Sequence, residues 1–450
     1  MRIDKLILNQ VGPFDHALIP FPVGKNPDLA DTYLLTGPNG AGKSTVLYAI
    51  AGAIGCGQLG QDHGGKRLRS AGAVAAFASG SVCGAAAWRR AGADKIGQLL
   101  NPFGGDSLPL AGESGWIGYF RTRAEHPILS FYQTAQNFRM TMPFEARPKF
   151  SWAAFAYAGM RSVSDAKITA IQEPTTSPFE NCLSFVQSTD TNRLAQWIAN
   201  QDFKRLKAKE AGKLDRANQL GQSVRDIERV IAQIIGEDFA FITGDVDNDV
   251  RVRRNKVIVD LGLLPDGLKS IVSWIADLLM RLDRIPWVDD TPPMKRSFLL
   301  LLDEVDIHLH PSWQRKVLPI VQRMFPNAQI IASTHSPFVV ASAEDAWIVT
   351  LKVDNGVATV AQVAGSQAGV SYSAILRSIF GIDSEFDLET EQAFQSFHQA
   401  KQELLTGATN DRTTVTKIAD QLAARGEEVQ ELVAIELRQL DRQLATRGVP

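Results

Sequence analysis

The chain has 450 residues, with 47 Lys+Arg against 49 Asp+Glu, a net charge of −2 and 45% apolar content. That is enough chain for two or three domains around a large core, and it excludes a uniformly basic protein that coats nucleic acid along its whole surface. No apolar run approaches the about 18 residues a membrane span needs, and three scattered cysteines, Cys56, Cys83 and Cys182, suit a reduced cytoplasmic protein without a disulfide framework or zinc site.

The first 50 residues read as two strands, 3–8 and 17–21, with a turn at Gly12 and Pro13, then a third strand over 31–35. That third strand runs into Gly37-Pro38-Asn39-Gly40-Ala41-Gly42-Lys43-Ser44-Thr45, and a helix follows over 46–53. The first five residues are charged and strand-like, with no signal-peptide core. Residues 51–115 hold 15 of the 35 glycines and read as an irregular elaboration with short strands, such as 81–89. Strand-like patches return at 116–120, 128–132 and 155–157. Within 116–161 six basic residues (Arg121, Arg123, Arg139, Arg147, Lys149, Arg161) stand against Glu125 and Glu145. This is the local candidate for an anion-facing strip, beside its plainer reading as solvated surface.

Residues 180–235 have a helical pattern. Leu220, Val224, Ile227, Ile231 and Ile234 recur at spacings of 4, 3, 4 and 3, an apolar seam for a partner helix within a short hairpin. Strands follow at 239–243, 250–253 and 256–261. The acidic run from Asp245 to Asp249 between two of them reads as a hairpin turn, because it lacks the glycine and distal glutamate of a calcium loop. Next, Leu264-Pro265-Asp266-Gly267 precedes a helix over 268–284 whose Leu268, Ile271, Val272, Ile275, Leu278, Leu279 and Leu282 form one stripe. The last 70 residues carry 13 Asp/Glu against 7 Lys/Arg, a net −6 beside +4 for the body. They read as three helices, 388–405, 411–425 and 427–446, punctuated by Gly407, Asn410 and Gly426. An acidic helical docking surface for a protein partner is expected there.

Three motifs carry chemistry. Residues 37–44 fit the phosphate-binding loop G-x-x-x-x-G-K-[ST]. Polyphosphate must approach backbone N–H groups closely, which calls for glycine at Gly37, Gly40 and Gly42. Lys43 supplies a cation, Ser44 a hydroxyl for Mg2+, and the helix behind them points its positive end at the anion. Second, 298–302 is a continuous apolar run, as in a strand buried on both faces, and it ends in Asp303-Glu304. The first carboxylate suits Mg2+ through water, and the second can deprotonate an attacking water. Third, 329–332 is another buried strand, followed by Ser333-Thr334-His335-Ser336-Pro337. At this offset His335 can reach a γ-phosphate. Seven histidines serve the whole chain, and His308, His310 and His335 fall close together. His308 and His310 are read as interface residues rather than a metal cluster, since no carboxylate–His helix pattern completes one. The Asp266-Gly267 turn opening the 268–284 helix is a further anion site.

In this order GPNGAGKST, a loop-helix of the LSGG type, LLLDE and the histidine resemble the ABC-type ATPases of the SMC/RecF/OLD group. DEVDIHLHPSWQRKVLP and FPNAQIIASTHSP look like the ATPases of prokaryotic antiphage defence, such as the Septu-type ATPase found beside an HNH nuclease and the ATPase half of OLD proteins. The motifs cover about a quarter of the chain. The resemblance implies an α/β fold: a two-lobed ABC-type P-loop ATPase domain with an N-lobe over 1–180, a helical insertion over 181–238, a C-lobe over 239–380 and an acidic helical region over 381–450. It also implies that two copies close head to tail on two ATP molecules. Gly37, Asn39, Gly40, Gly42, Lys43, Ser44 and Thr45 would hold nucleotide and Mg2+. Asp303 would support Mg2+, Glu304 act as catalytic base and His335 as switch histidine. Asp266 and Gly267 would reach the nucleotide of the other copy, and Gln133 or Gln136 would be the Q-loop glutamine. Two departures stand out. Pro265 replaces the signature serine and has neither hydroxyl nor N–H to offer, so slow turnover, or activity that a partner must complete, is expected. His310 stands where transporter and SMC proteins have an aspartate, which argues against a transporter.

Three functions compete. The first is an ATP-hydrolysing subunit of an antiphage complex, in which a homodimer or higher homo-oligomer controls a separate nuclease or toxin; the chain shows no nuclease motif of its own. The second is a DNA-repair ATPase that clamps DNA, with the 116–161 strip and 201–229 (eight basic, five acidic residues) as the basic face. The third is a scaffold held together by ATP with little hydrolysis. No membrane contact is expected in any of them.

Overall fold

The structure is a computed structural model that describes residues 3–53, 73–77, 83–86, 135, 138–161, 163, 168, 171–185, 189–244, 249–366, 369–382, 386–409 and 411–446. The strands expected at 116–120 and 128–132, and both Q-loop candidates Gln133 and Gln136, lie outside the described residues. The chain divides into two compact units, Met1–Ile375 and Leu376–Pro450.

Antiparallel strands open the first unit. β1 (Ile3–Val11) and β2 (Phe14–Pro20) form a hairpin. β3 (Asp31–Thr36) and α1 (Lys43–Ala53) follow, and then β4 (Ala73–Phe77) and β5 (Cys83–Ala86). β4 and β5 extend the hairpin into a sheet of order β2-β1-β4-β5. The central sheet adds β6 (Ala153–Tyr157), β10 (Phe298–Leu302), β11 (Gln329–Ser333), β12 (Ala346–Asp354) and β13 (Val357–Gly365) to β3. Its order is β13-β12-β3-β11-β10-β6. All its neighbours pair in parallel except the β12–β13 hairpin. The sequences explain the arrangement: FLLLL, QIIAS and AAFAY are buried at every position, as parallel strands covered on both faces must be. The β1 end is tied to this sheet by Gln329, whose side-chain amide donates to the Ile3 carbonyl (2.8 Å) and accepts from the Ile3 N–H (2.7 Å).

Between β6 and β10 the chain builds a helical and antiparallel section. Its helices are α2 (Thr191–Glu210), α3 (Leu214–Leu220), α4 (Gln222–Ile235) and α5 (Asp266–Arg284). β7 (Phe239–Thr243), β8 (Val250–Arg254) and β9 (Val257–Asp260) form a separate antiparallel sheet. The apolar seam is real, but it is broken at Gly221, where α3 ends and α4 begins. Ile227, Ile231 and Ile234 are buried together with Val230 and Ile235. They face α5 and α6 (Pro311–Met324) of the same unit rather than a hairpin partner. α5 also differs from a simple amphipathic helix. Besides its expected stripe it buries Ser270, Ser273, Asp277, Arg281 and Arg284.

After α6 comes the short α7 (Pro337–Ser342); the second unit takes in the end of α8 (Tyr372–Phe380), then α9 (Leu388–Thr406), α10 (Arg412–Ala423) and α11 (Glu427–Thr446). The sequence signals are explicit. Asp387 caps α9 by accepting from the N–H groups of Glu389 (3.1 Å) and Thr390 (3.0 Å), and Asp411 caps α10 by accepting from Thr413 (2.9 Å). Gly407 ends α9 in the left-handed conformation. Phe397, Leu404, Val415, Leu422, Val433 and Leu440 belong to its core. No helix among the described residues is long and apolar enough to cross a membrane.

Candidate functional site

In a parallel sheet all strands end on one edge, and loops leaving that edge converge. Here β3, β11, β10 and β6 lie side by side, so their following residues meet. The ladder continues into the loops: Thr334 N–H donates to the Leu35 carbonyl (3.1 Å), Val305 N–H to Ser333 (3.0 Å) and Asp303 N–H to Tyr157 (2.9 Å).

After β3, Gly37, Gly40 and Gly42 all take positive φ, at 139°, 81° and 87°. At Gly42 a Cβ would overlap the Phe14 ring of the β1–β2 hairpin. Conformation and space thus both demand glycine. Gly42→Ala is expected to destabilise the first unit by about 1–3 kcal/mol, read as a shifted urea midpoint; an unshifted midpoint would contradict this placement. Asn39 and Gly40 are exposed at the loop crown, and Thr45 is buried in the first turn of α1. Lys43 is 7% exposed. Its Nζ donates to the carbonyls of Gly37 (2.9 Å) and Pro38 (3.0 Å), which leaves one of three ammonium protons for an anion. Burial pulls its pKa below the usual lysine value, against the opposing pull of Asp303, Glu304 and Asp306.

Asp303 and Ser44 meet directly: Ser44 Oγ donates to Asp303 Oδ1 at 3.0 Å. Ser333 Oγ donates to the same oxygen at 2.5 Å and accepts from the Glu304 N–H at 2.7 Å. Glu304 has φ +46°, a conformation that costs a non-glycine residue about 1–2 kcal/mol. His335 is exposed at the end of the β11 loop. Partial desolvation of its ring at the site, and then the Lys43 cation, hold its pKa below the usual histidine value. One hydroxyl and one carboxylate in contact beside a lysine-bearing loop fit a phosphate-bound Mg2+, which takes few protein ligands and keeps several waters.

Several residues here have a role that the sequence pattern does not signal. Asp306 ties the two loops together, accepting from Thr334 Oγ1 (2.6 Å) and the His335 N–H (3.3 Å). The D-x-x-D spacing from Asp303 was its only sequence signal. Arg161, after β6, is 5% exposed and donates through Nη2 to the carbonyls of Asp303 (2.9 Å) and Glu304 (3.1 Å). Burial lowers its pKa to about 10, with Asp303, Asp306 and Glu304 pulling it back up. Gly159 lies so close that a Cβ there would stand 2.5 Å from Glu304 Oε2.

The Asp266-Gly267 turn lies at the start of α5. Pro265 precedes the helix without a side-chain cap, and its carbonyl accepts from the N–H groups of Leu268 and Lys269, both at 2.9 Å. Asp266 and Gly267 then offer the leading N–H groups of a helix. Gly267 abuts the His308 carbonyl, so this turn touches the loop after β10 within one chain. His308 has φ +61°. His310 caps α6, its Nδ1 accepting from the Ser312 N–H at 3.3 Å. Of the basic residues in 201–229, Lys204, Arg205 and Arg229 are ion-paired with Glu173, Asp202 and Asp226.

Residues 160–341 match the family described as AAA domain, putative AbiEii toxin, Type IV TA system, and residues 1–54 match a family described as AAA domain. The retron Ec83 probable ATPase of Escherichia coli is 35% identical over 103 residues, 22% of this chain and 19% of that protein. The Septu protein PtuA of Bacillus thuringiensis is 34% identical over 125 residues, 27% of this chain and 32% of that one. The Septu protein PtuA of Bacillus mycoides is 22% identical over 384 residues, 84% of this chain and 44% of that protein. The matched segments thus span less than half of each relative's own length. A solved SMC head from Thermotoga maritima is loosely alike, at 18% identity and a TM-score of 0.38 over 82% of this chain and 100% of that one. Both family matches are thus to AAA domains, and the matched relatives are named for retron and Septu systems, the retron one as a probable ATPase.

Proposed function

We propose that this chain binds and hydrolyses ATP with Mg2+ as part of an antiphage defence complex, and that two copies close head to tail on the nucleotide. The observation that carries this is the joining of the P-loop to the β10 carboxylates by the Ser44–Asp303 hydrogen bond, with Glu304 and His335 on the same sheet edge. The loop N–H groups of residues 37–45 and the free proton of Lys43 would hold the phosphates. Ser44 and Asp303 would hold Mg2+, which supplies charge neutralisation to the phosphates when bound. Glu304 accepts the proton of the attacking water, and His335 steadies that water or the γ-phosphate. The two ATPase lobes are 1–180 and 239–380, flanking the helical insertion 181–238, with 381–450 as the docking region. The relatives named for retron and Septu systems support the defence setting.

The test is phosphate release from the purified chain with Mg-ATP, alongside Lys43→Ala. Hydrolysis lost in the variant supports the reading; equal hydrolysis in both, or none in either, contradicts it. Pro265 gives a sharper sign. Pro265→Ser restores a hydroxyl at the start of α5, and a hydrogen bond to a charged group is worth about 1.5–3 kcal/mol. Turnover is therefore expected to rise about tenfold or more. An unchanged or lower rate would mean that the α5 turn does not reach nucleotide.

Control of a separate effector is the companion proposal. The last 70 residues carry a net −6, and α11 exposes Leu432 and Ile435 beside exposed Glu428 and Glu431. An acidic face with two apolar residues suits a basic, partly apolar protein partner.

A further inference from the structure

We propose that Arg161 is a positioning residue for Glu304: it clamps the strained turn that holds the glutamate carboxylate in place. The inference rests on reading Glu304 as the hydrolytic base. Glu304 has φ +46°, and such a conformation persists only where its surroundings over-determine it. The two carbonyls bracketing that residue are those of Asp303 and Glu304. Arg161 Nη2 donates to both, at 2.9 and 3.1 Å, so one nitrogen fixes the peptide planes on either side of the strained φ and ψ.

The rest of the local geometry points the same way. Gly159, two residues before Arg161, forms the wall against Glu304 Oε2 and Cβ. The segment after β6 therefore restrains the glutamate twice, by contact through Gly159 and by hydrogen bonding through Arg161. β6 is placed for this by pairing in register with β10, Tyr157 opposite Leu302.

Arg161 is also an expensive choice for a purely packing role. Its side chain is buried over the Trp274 ring, 6.0 Å from the centroid, and Nε and Nη1 have no hydrogen-bond partner among the described residues. A methionine would fill similar volume without a buried cation to satisfy. What the guanidinium adds is the bond pair to the turn and a positive charge beside Asp303, Glu304 and Asp306. The bond pair bears directly on the placement of Glu304.

The experiment measures ATP turnover and nucleotide affinity of the full chain for Arg161→Met, Arg161→Lys, Glu304→Gln and the Arg161→Met/Glu304→Gln pair. Misplacing a catalytic group by about 1 Å costs on the order of 10²-fold. Arg161→Met should lower kcat by that order with affinity within about twofold. Arg161→Lys should recover part of kcat. In the Glu304→Gln background, Arg161→Met should remove nothing further, since it acts through the residue already lost. Additive losses, weakened affinity without a kcat effect, or wild-type turnover in Arg161→Met would overturn the proposal. Where Arg161→Met does not melt cooperatively, Arg161→Lys decides: reduced kcat with unchanged affinity supports the clamp, and wild-type kcat opposes it. If Glu304→Gln itself turns over at the wild-type rate, the reading of Glu304 has failed. If only that variant is impaired, the clamp alone has failed.

Discussion

Glutamine in place of Glu304 lowers ATP turnover by about 10²–10⁴-fold, the range of a general base, with nucleotide affinity within about twofold. The substitution is nearly isosteric and keeps a side-chain acceptor, but the amide cannot take a proton. Phosphate and metal contacts are assigned elsewhere, to the P-loop and to the Ser44–Asp303 pair. The Glu304 N–H donates to Ser333 Oγ, and its carbonyl accepts from Arg161. Both contacts use the backbone and survive the change. Phosphate release and equilibrium titration with a fluorescent ATP analogue read the two quantities. A parallel loss of affinity would place Glu304 in binding rather than in chemistry.

Arg281→Met destabilises the first unit by about 3–5 kcal/mol, the cost of stranding one partner of a buried ion pair. Arg281 and Asp277 are each 1% exposed, with Nε to Oδ2 at 2.5 Å. The Tyr157 hydroxyl donates to the same Asp277 oxygen at 2.8 Å. Burial, and then Asp277, push the Tyr157 phenol well above its usual pKa, so it remains a donor at every working pH. Arg281 also donates to the carbonyls of Pro178 (2.7 Å) and Glu180 (2.8 Å). The guanidinium thereby fastens α5 to β6 and to the 178–180 turn. Asp277→Leu combined with Arg281→Met should cost less than Arg281→Met alone, because no bare carboxylate remains. Urea unfolding read by tryptophan fluorescence measures both; a loss under about 1 kcal/mol for Arg281→Met would contradict the buried pair.

The sequence spoke plainly where one residue type has one physical use. FLLLL ending in Asp303-Glu304 is a two-sided buried strand with a carboxylate pair, and the structure places β10 there. Asp387, Asp411 and Gly407 mark helix ends by their own chemistry. Patterns that report a face without naming its cover were read less completely. The isoleucines of α4 were found, but α5 and α6 of the same unit cover them. Asp277 and Arg281 have the i,i+4 spacing of a solvated surface pair, so their burial was invisible. In the sequence Arg161 is one charge of a basic strip. Its partners lie 142 and 143 residues away, and the AAFAY strand that brings them together carries no chemical signature.

The most direct test of the whole reading is a structure of the Glu304→Gln chain determined with ATP and Mg2+. Phosphates are expected in the Gly37–Thr45 loop, Mg2+ beside Ser44 and Asp303, and the Asp266-Gly267 turn of a second copy at the γ-phosphate. Nucleotide bound away from that loop, or bound there with no second copy against it, would contradict it.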